Sequence, residues 1–250
     1  MSNSFLSSIG KEIILGSLLG DGSLKIHQNY KNARFSFRHS IKQKDYFDWK
    51  IKQLKTISSM KSTWSQKSGF NENAIVWRYQ SLALVELSEI YKLTHKNDKF
   101  SVTRKWLNKL TPLSLAIWWL DDGSLIANGR KGVLCTDSFD GKEQELLANY
   151  LLKVWHVRVS IGKVKRVYKG ELREYYRLWF RSSEELKKFL RIILPYIKVS
   201  SMLYKVVLLY KDFNLQQRWI SEVSNLSGFS KEIIQKVIDD KKSRWKSFRE

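Results

Sequence analysis

Apolar residues gather twice into short unbroken runs that end in acid and glycine. Ile13-Ile14-Leu15-Gly16-Ser17-Leu18-Leu19-Gly20 leads into Asp21-Gly22-Ser23-Leu24, and Leu113-Ser114-Leu115-Ala116-Ile117-Trp118-Trp119-Leu120 leads into Asp121-Asp122-Gly123-Ser124-Leu125. Each run is too short to span a bilayer, which needs roughly 20 residues, and long enough for two or three buried helical turns. Gly16 and Gly20 stand four apart and share a helix face that would admit a second helix closely. Glycine inside a helix costs roughly 0.5–1 kcal/mol, so two of them call for a packing reason. Gly22 and Gly123 then end the runs, as glycine ends helices. Two helices packed on one another are expected, the first running to about Gly20. The motif aspartates would sit at their C-termini, where the helix dipole disfavours an anion and favours a bound cation.

Between and after these runs the pattern switches from helical to alternating. Leu24 to Ser40 reads as two strands, and Arg34-Phe35-Ser36-Phe37-Arg38-His39 alternates basic and apolar, burying one face and exposing the other. A helix over Lys44 to Ile57, a hairpin over Lys61 to Gln80 turning at Ser68-Gly69-Phe70-Asn71, and a helix over Leu82 to Tyr91 follow. The order then repeats: two short strands across Asn128-Gly129, a helix over Lys142 to Trp155, a long hairpin from Val157 to Phe180 turning near Lys169-Gly170, and a helix over Glu184 to Leu194. The returning strands share a phrase, Trp77-Arg78-Tyr79-Gln80-Ser81 against Trp179-Phe180-Arg181-Ser182. Asp21 and Asp122 stand 101 residues apart, and so long a repeat points to a duplicated domain. The expected divisions are a first half over 1–105, a second over 106–212 and a helical tail over 213–250.

Composition sharpens this picture. The chain has 250 residues, 43% hydrophobic, with 45 Lys and Arg against 24 Asp and Glu, a net charge of +21. A folded chain this basic and aromatic calls for a polyanionic partner; the plainer reading is a soluble protein whose lysines reflect an AT-rich genome. The lone Cys135 excludes an internal disulfide or a CxxC zinc site. No signal peptide is read at the N-terminus. The basic residues concentrate on strands: Arg34, Arg38 and Arg78 in the first half, and Lys163, Lys165, Arg166, Arg173 and Arg177 on the long hairpin. A strand of about 10 residues spans about 33 Å, close to one turn of B-DNA at about 34 Å, and such a ribbon fits the major groove. A solvated sheet with lysines guarding its edges is the alternative.

The two runs, their terminal aspartates and the repeated order resemble the LAGLIDADG homing endonucleases in their monomeric, two-motif form. The likeness rests on Leu19-Gly20-Asp21, on Thr111-Pro112-Leu113-Ser114-Leu115-Ala116 leading into Trp119-Leu120-Asp121-Asp122-Gly123, and on Met202-Leu203-Tyr204-Lys205, and covers roughly residues 9–210. It implies an α+β fold of tandem, pseudo-symmetric αββαββα halves with saddle-like antiparallel DNA-binding sheets and a two-helix central interface. The activity it implies is cleavage of a long, asymmetric duplex site by divalent-metal-dependent hydrolysis, promoting intron mobility from an organelle.

Asp21 and Asp122 would be the catalytic metal-binding carboxylates, one per DNA strand. Gly20 and Asp121 are the neighbouring metal-side positions, with Asp121 expected to face away. Lys99 and Lys205 match the basic residue near each site, with surface lysine as the plainer reading. The expected cofactor is Mg²⁺, with Mn²⁺ able to substitute. The expected partners are double-stranded DNA and, secondarily, host intron RNA, with no membrane and no required protein partner. His39 and Asp137 are candidates for polar residues that hold water, a core histidine being the alternative for the first. Leu120 is bulky where close helix packing prefers a small residue. An RNA maturase and a cleavage-dead DNA-binding module are the competing readings of the same fold; both motif aspartates are present, which favours nuclease competence. Beyond the likeness, residues 219–239 read as two helices around Gly228-Phe229-Ser230 and resemble a bacterial helix-turn-helix, in which Lys231, Gln235 and Lys236 would reach DNA; a helical hairpin closing the C-terminus is the alternative.

Overall fold

The computed structural model describes residues 5–67, 75–127, 129–168 and 170–244. It divides into two compact units, Met1–Asp121 and Asp122–Glu250. The expected turns at 68–71, at Asn128 and at Lys169 fall wholly or partly outside the described residues.

The first unit opens with α1 (Ser8–Ser17), capped by Ser7, whose Oγ accepts from the Gly10 N–H at 3.0 Å. The α-helix stops at Ser17, earlier than the apolar run suggests. Two tight turns carry the chain on, with Leu19 N donating to Gly16 O and Gly20 N to Ser17 O. Strands β1 (Gly22–Lys25) and β2 (Arg34–Ser40) precede α2 (Lys44–Gln53), and β3 (Thr63–Lys67) and β4 (Ile75–Gln80) precede α3 (Val85–Thr94). The strands form one antiparallel sheet in the order β1-β2-β4-β3. Phe35, Phe37 and His39 point inward from β2 and are buried, and Phe37 meets the rings of Phe47 and Tyr79 at 5.4 and 5.1 Å. A short ladder that the sequence pattern does not announce follows, β5 (His95–Lys96) and β6 (Lys99–Phe100). Asn97 and Asp98 between them both have positive φ, the conformation of a two-residue primed turn. Then come α4 (Arg104–Leu107) and α5 (Pro112–Asp122). Every residue of α5 from Leu113 to Asp121 is buried, Leu120 included.

In the second unit β7 (Gly123–Ile126) and β8 (Lys131–Leu134) lead to α6 (Gly141–Trp155), whose capping box joins Asp140 and Glu143. The long hairpin is β9 (Ser160–Tyr168) and β10 (Glu171–Phe180), followed by α7 (Ser183–Ile193). Sheet order is β7-β8-β10-β9, the order of the first unit repeated, so the α+β reading with tandem αββαββα halves stands. The strand phrase shared by the halves is not an equivalence, however. Phe37 pairs with Gly22 and Tyr79, and Leu134 pairs with Gly123 and Leu178. Tyr79 therefore corresponds to Leu178 and Arg78 to Arg177, three residues away from the alignment that the tryptophans suggest. After two 3₁₀ segments, Leu194–Tyr196 and Ser200–Lys205, α8 (Phe213–Ser227) and α9 (Lys231–Arg244) close the unit around Gly228, which takes a left-handed conformation at φ 80°. No helix among the described residues is long and apolar enough to cross a membrane.

Candidate active site and nucleic-acid face

Within the first unit α1 lies directly on α5. A Cβ added to Gly16 would stand 2.2 Å from the Ser114 carbonyl oxygen, and one added to Gly20 would stand 2.6 Å from Asp121 Cβ. Ser114 Oγ and Thr111 Oγ1 tie the helices by donating to the Glu12 carbonyl and the Glu12 carboxylate. Glycine is thus required where the first motif meets the second, and the approach sets Asp21 beside the end of α5.

Asp21 keeps 38% of its side chain exposed and places Oδ2 3.3 Å from His39 Nδ1. His39 is buried, and its Nε2 faces Lys50 Nζ at 3.4 Å. Lys50 offers only N–H donors, so it addresses Nε2 as an acceptor; Nδ1 lies near Asp21 without an aligned hydrogen bond to it. Lys50 itself is wholly buried and donates to both oxygens of Asp121, at 3.2 and 3.1 Å. Tyr46 donates its hydroxyl to Asp121 Oδ1 at 2.8 Å. Burial first, and then the Asp121 carboxylate, push the Tyr46 phenol well above its ordinary value. The expectation that Asp121 faces away from the site is corrected: its carboxylate is the buried centre of this network, because the missing Gly20 side chain leaves room for it against α2.

Ligand atoms of Asp21, His39 and Asp121 lie within 4.8 Å of one another. The donor set fits a divalent cation unevenly. Asp21 offers a hard, solvent-reaching carboxylate. Asp121 is already held by a buried ammonium and a phenol, so it fits as a counterion rather than a ligand. Gly20 borders Asp21 and offers only backbone.

The second unit builds its neighbourhood differently. Asp122 ends α5, and its carbonyl accepts from Cys135 N at 3.0 Å. Burial pushes the Cys135 thiol up; Asp122 and Asp137 push it further, while Arg177 and Lys205 pull it down. Asp122, Asp137, Arg177 and Lys205 therefore share one electrostatic surrounding. Arg177 makes a two-pronged pair with Asp137, both bonds at 2.6 Å, which raises the guanidinium pKa. The register position of His39 is held here by Thr136, bound to Gln144 at 2.8 Å, so a neutral pair stands where the first unit has charges. Lys99 lies exposed on β6, and Lys205 ends a 3₁₀ segment.

The basic strand residues divide by face. Arg34, Arg38 and Arg78 point away from the first unit's core, and Arg38 pairs directly with Arg78 across β2 and β4. Arg34 stacks over the Tyr30 ring at 3.9 Å. On the long hairpin Arg166 pairs with Arg173. Side chains alternate along a strand, so Arg166, Arg173 and Arg177 share one face. Lys163 and Lys165 lie on the other, with buried Leu178, and both reach Glu174 at 3.2 Å. The hairpin's cations therefore divide between its two faces. Like charges directly opposite one another are destabilising; each unit carries one such arginine pair on the outward face of its sheet, and in the second unit Asp137 and Glu171 partly offset it.

A family model described as the LAGLIDADG DNA endonuclease family matches residues 11–189. The chain belongs to this family. The matched stretch holds both motif aspartates and both sheets and ends inside α7. Among curated relatives, protein RecA of Mycobacterium gastri and the cytochrome b mRNA maturase bI2 of Saccharomyces cerevisiae are each 29% identical, over 211 and 209 residues, covering 78% of this chain. The chain spans about half the length of these two, 46% of each. The probable intron-encoded endonuclease 1 of Wickerhamomyces canadensis is 26% identical over 209 residues, covering 81% of this chain and 85% of its own. The solved structure of the homing endonuclease I-WcaI bound to its DNA recognition sequence superposes with a TM-score of 0.69 at 23% identity, covering 83% of this chain and 89% of that one. It shares the LAGLIDADG fold seen here.

Proposed function

We propose that this LAGLIDADG protein is a site-specific homing endonuclease that cuts both strands of a long, asymmetric duplex and so promotes intron mobility. The observation that carries the reading is the pair of motif aspartates, Asp21 and Asp122, each where a buried helix meets a sheet whose outward face sets arginine against arginine. Asp21 and Asp122 would hold divalent cation, Mg²⁺ with Mn²⁺ as substitute, one aspartate serving each strand. When bound, the cation polarises the phosphate, lowers the pKa of a coordinated water and stabilises the leaving oxygen. The chain's own residues do the rest. His39 orients the Asp21 carboxylate; Lys205, and Lys99 in the first unit, offset charge on the phosphate. The outward arginines hold the backbone of the duplex.

The relatives in yeasts support an organelle as the setting. The maturase among them supports a second reading, in which the same faces bind host intron RNA. A cleavage selection separates the two. Purified protein and Mg²⁺ are incubated with a large duplex library and the cut ends are sequenced. One long consensus is expected, lost with Asp21→Asn. No cut ends, with tight binding to the host intron transcript, would favour the maturase.

A further inference from the structure

Residues Val206 to Leu209 follow Lys205 with no exposed surface and no regular secondary structure. Buried irregular backbone needs hydrogen-bond partners. Here they come from two buried polar side chains of the C-terminal helices. Lys241 of α9, 7% exposed, donates to the carbonyls of Tyr204 at 3.0 Å and Val207 at 2.7 Å. Gln216 of α8, 3% exposed, donates to Leu208 O at 3.1 Å and accepts from Tyr210 N at 2.9 Å. The two carbonyls that Lys241 holds bracket Lys205, and the 3₁₀ segment that Lys205 ends packs against β7, the strand that begins directly after Asp122. A strongly hydrated ammonium is costly to bury, and a packing role alone would be met by leucine.

We propose that the helix pair α8–α9 is a clamp in which Lys241, seconded by Gln216, positions Lys205 for the Asp122 half of the reaction. Both are positioning residues, and the tail is a part of that half rather than a separate DNA-reading module. The assignment rests on the nuclease reading for the role of Lys205.

The test is strand-resolved cleavage of a supercoiled plasmid carrying a duplex that the wild-type chain cuts, with hydrogen exchange run beside it. Lys241→Met is expected to slow one strand by roughly 100-fold, the effect of a misplaced catalytic group. The strand is the one slowed by Lys205→Ala, so nicked circles accumulate while DNA binding holds. Lys241→Arg restores the second cut, and Gln216→Leu slows the same strand. Exchange protection falls at 203–208 and stays unchanged elsewhere. Equal slowing of both strands in step with the folded fraction, or no slowing, overturns the proposal. If the wild-type chain cuts no duplex, the nuclease reading falls, and unchanged protection at 203–208 in Lys241→Met overturns the clamp on its own.

Discussion

Lys50 shows how one side chain can decide the character of a site. Its ammonium is buried against Asp121, the ring nitrogen of His39 and the face of Phe37 at 4.4 Å. Removing one partner of a buried pair leaves the other charge uncompensated, at a cost of about 3–5 kcal/mol. Lys50→Met is therefore expected to lose that much stability in urea unfolding, and Lys50→Met combined with Asp121→Leu to regain most of it. A single variant as stable as wild type would show that the pair is solvated. This network was the least legible part of the sequence. Asp121 and Asp122 are adjacent, and nothing local says which one turns inward; the answer lies 71 residues away in Lys50, which reads in sequence as one more exposed helical lysine. Asp21 was legible because its run, its glycines and its acid all fall in one stretch.

Among the elements, the two apolar runs announced their helices and the alternation in Arg34–His39 announced β2. The close approach was legible as well, since Gly16 and Gly20 had no other reason to be there. Gly16→Ala would drive a methyl group into the Ser114 backbone, where nothing flexible can give way. Overpacking of this kind costs about 1–3 kcal/mol, and a fall in unfolding midpoint is expected; an unchanged midpoint would mean that α1 and α5 are farther apart. The short β5–β6 ladder was missed because its strands are too brief for periodicity to register.

The tail adds a pH signature. Burial first, and then neighbouring Arg244, lower the Lys241 pKa from its ordinary 10.5 to about 8. The unfolded chain therefore binds more protons than the folded one between those values, and stability rises as pH climbs from about 8 to about 10.5. The gain from this group is up to about 3 kcal/mol, at 1.36 kcal/mol per unit. Chemical unfolding of wild type against Lys241→Met across that range should show the rise in the first and its loss in the second; parallel curves would contradict the burial of this ammonium.

For the whole molecule, a net charge of +21 makes electrostatic attraction the main source of affinity for any nucleic acid. Each neutralised phosphate contributes about −0.9 to the slope of log affinity against log salt. Duplex binding should therefore weaken steeply with salt, and Arg38→Ala with Arg78→Ala should flatten the slope by about 2 phosphates' worth. A flat response in the wild-type chain would argue against a polyanion partner. The repeat itself was plain in sequence, whereas the divergence of the halves was not. The buried Lys50–Asp121 ion pair beside His39 in one unit has a neutral Thr136–Gln144 pair as its counterpart in the other, and only the register relates His39 to Thr136.

Whether the motif aspartates cut DNA is decided by Asp122→Asn, which keeps the shape of the side chain and removes the carboxylate. On the duplex recovered by cleavage selection, in Mg²⁺, the variant is expected to make no double-strand break while its binding isotherm stays where it was. Cutting of both strands at the wild-type rate would refute the assignment of Asp122 and with it the nuclease mechanism.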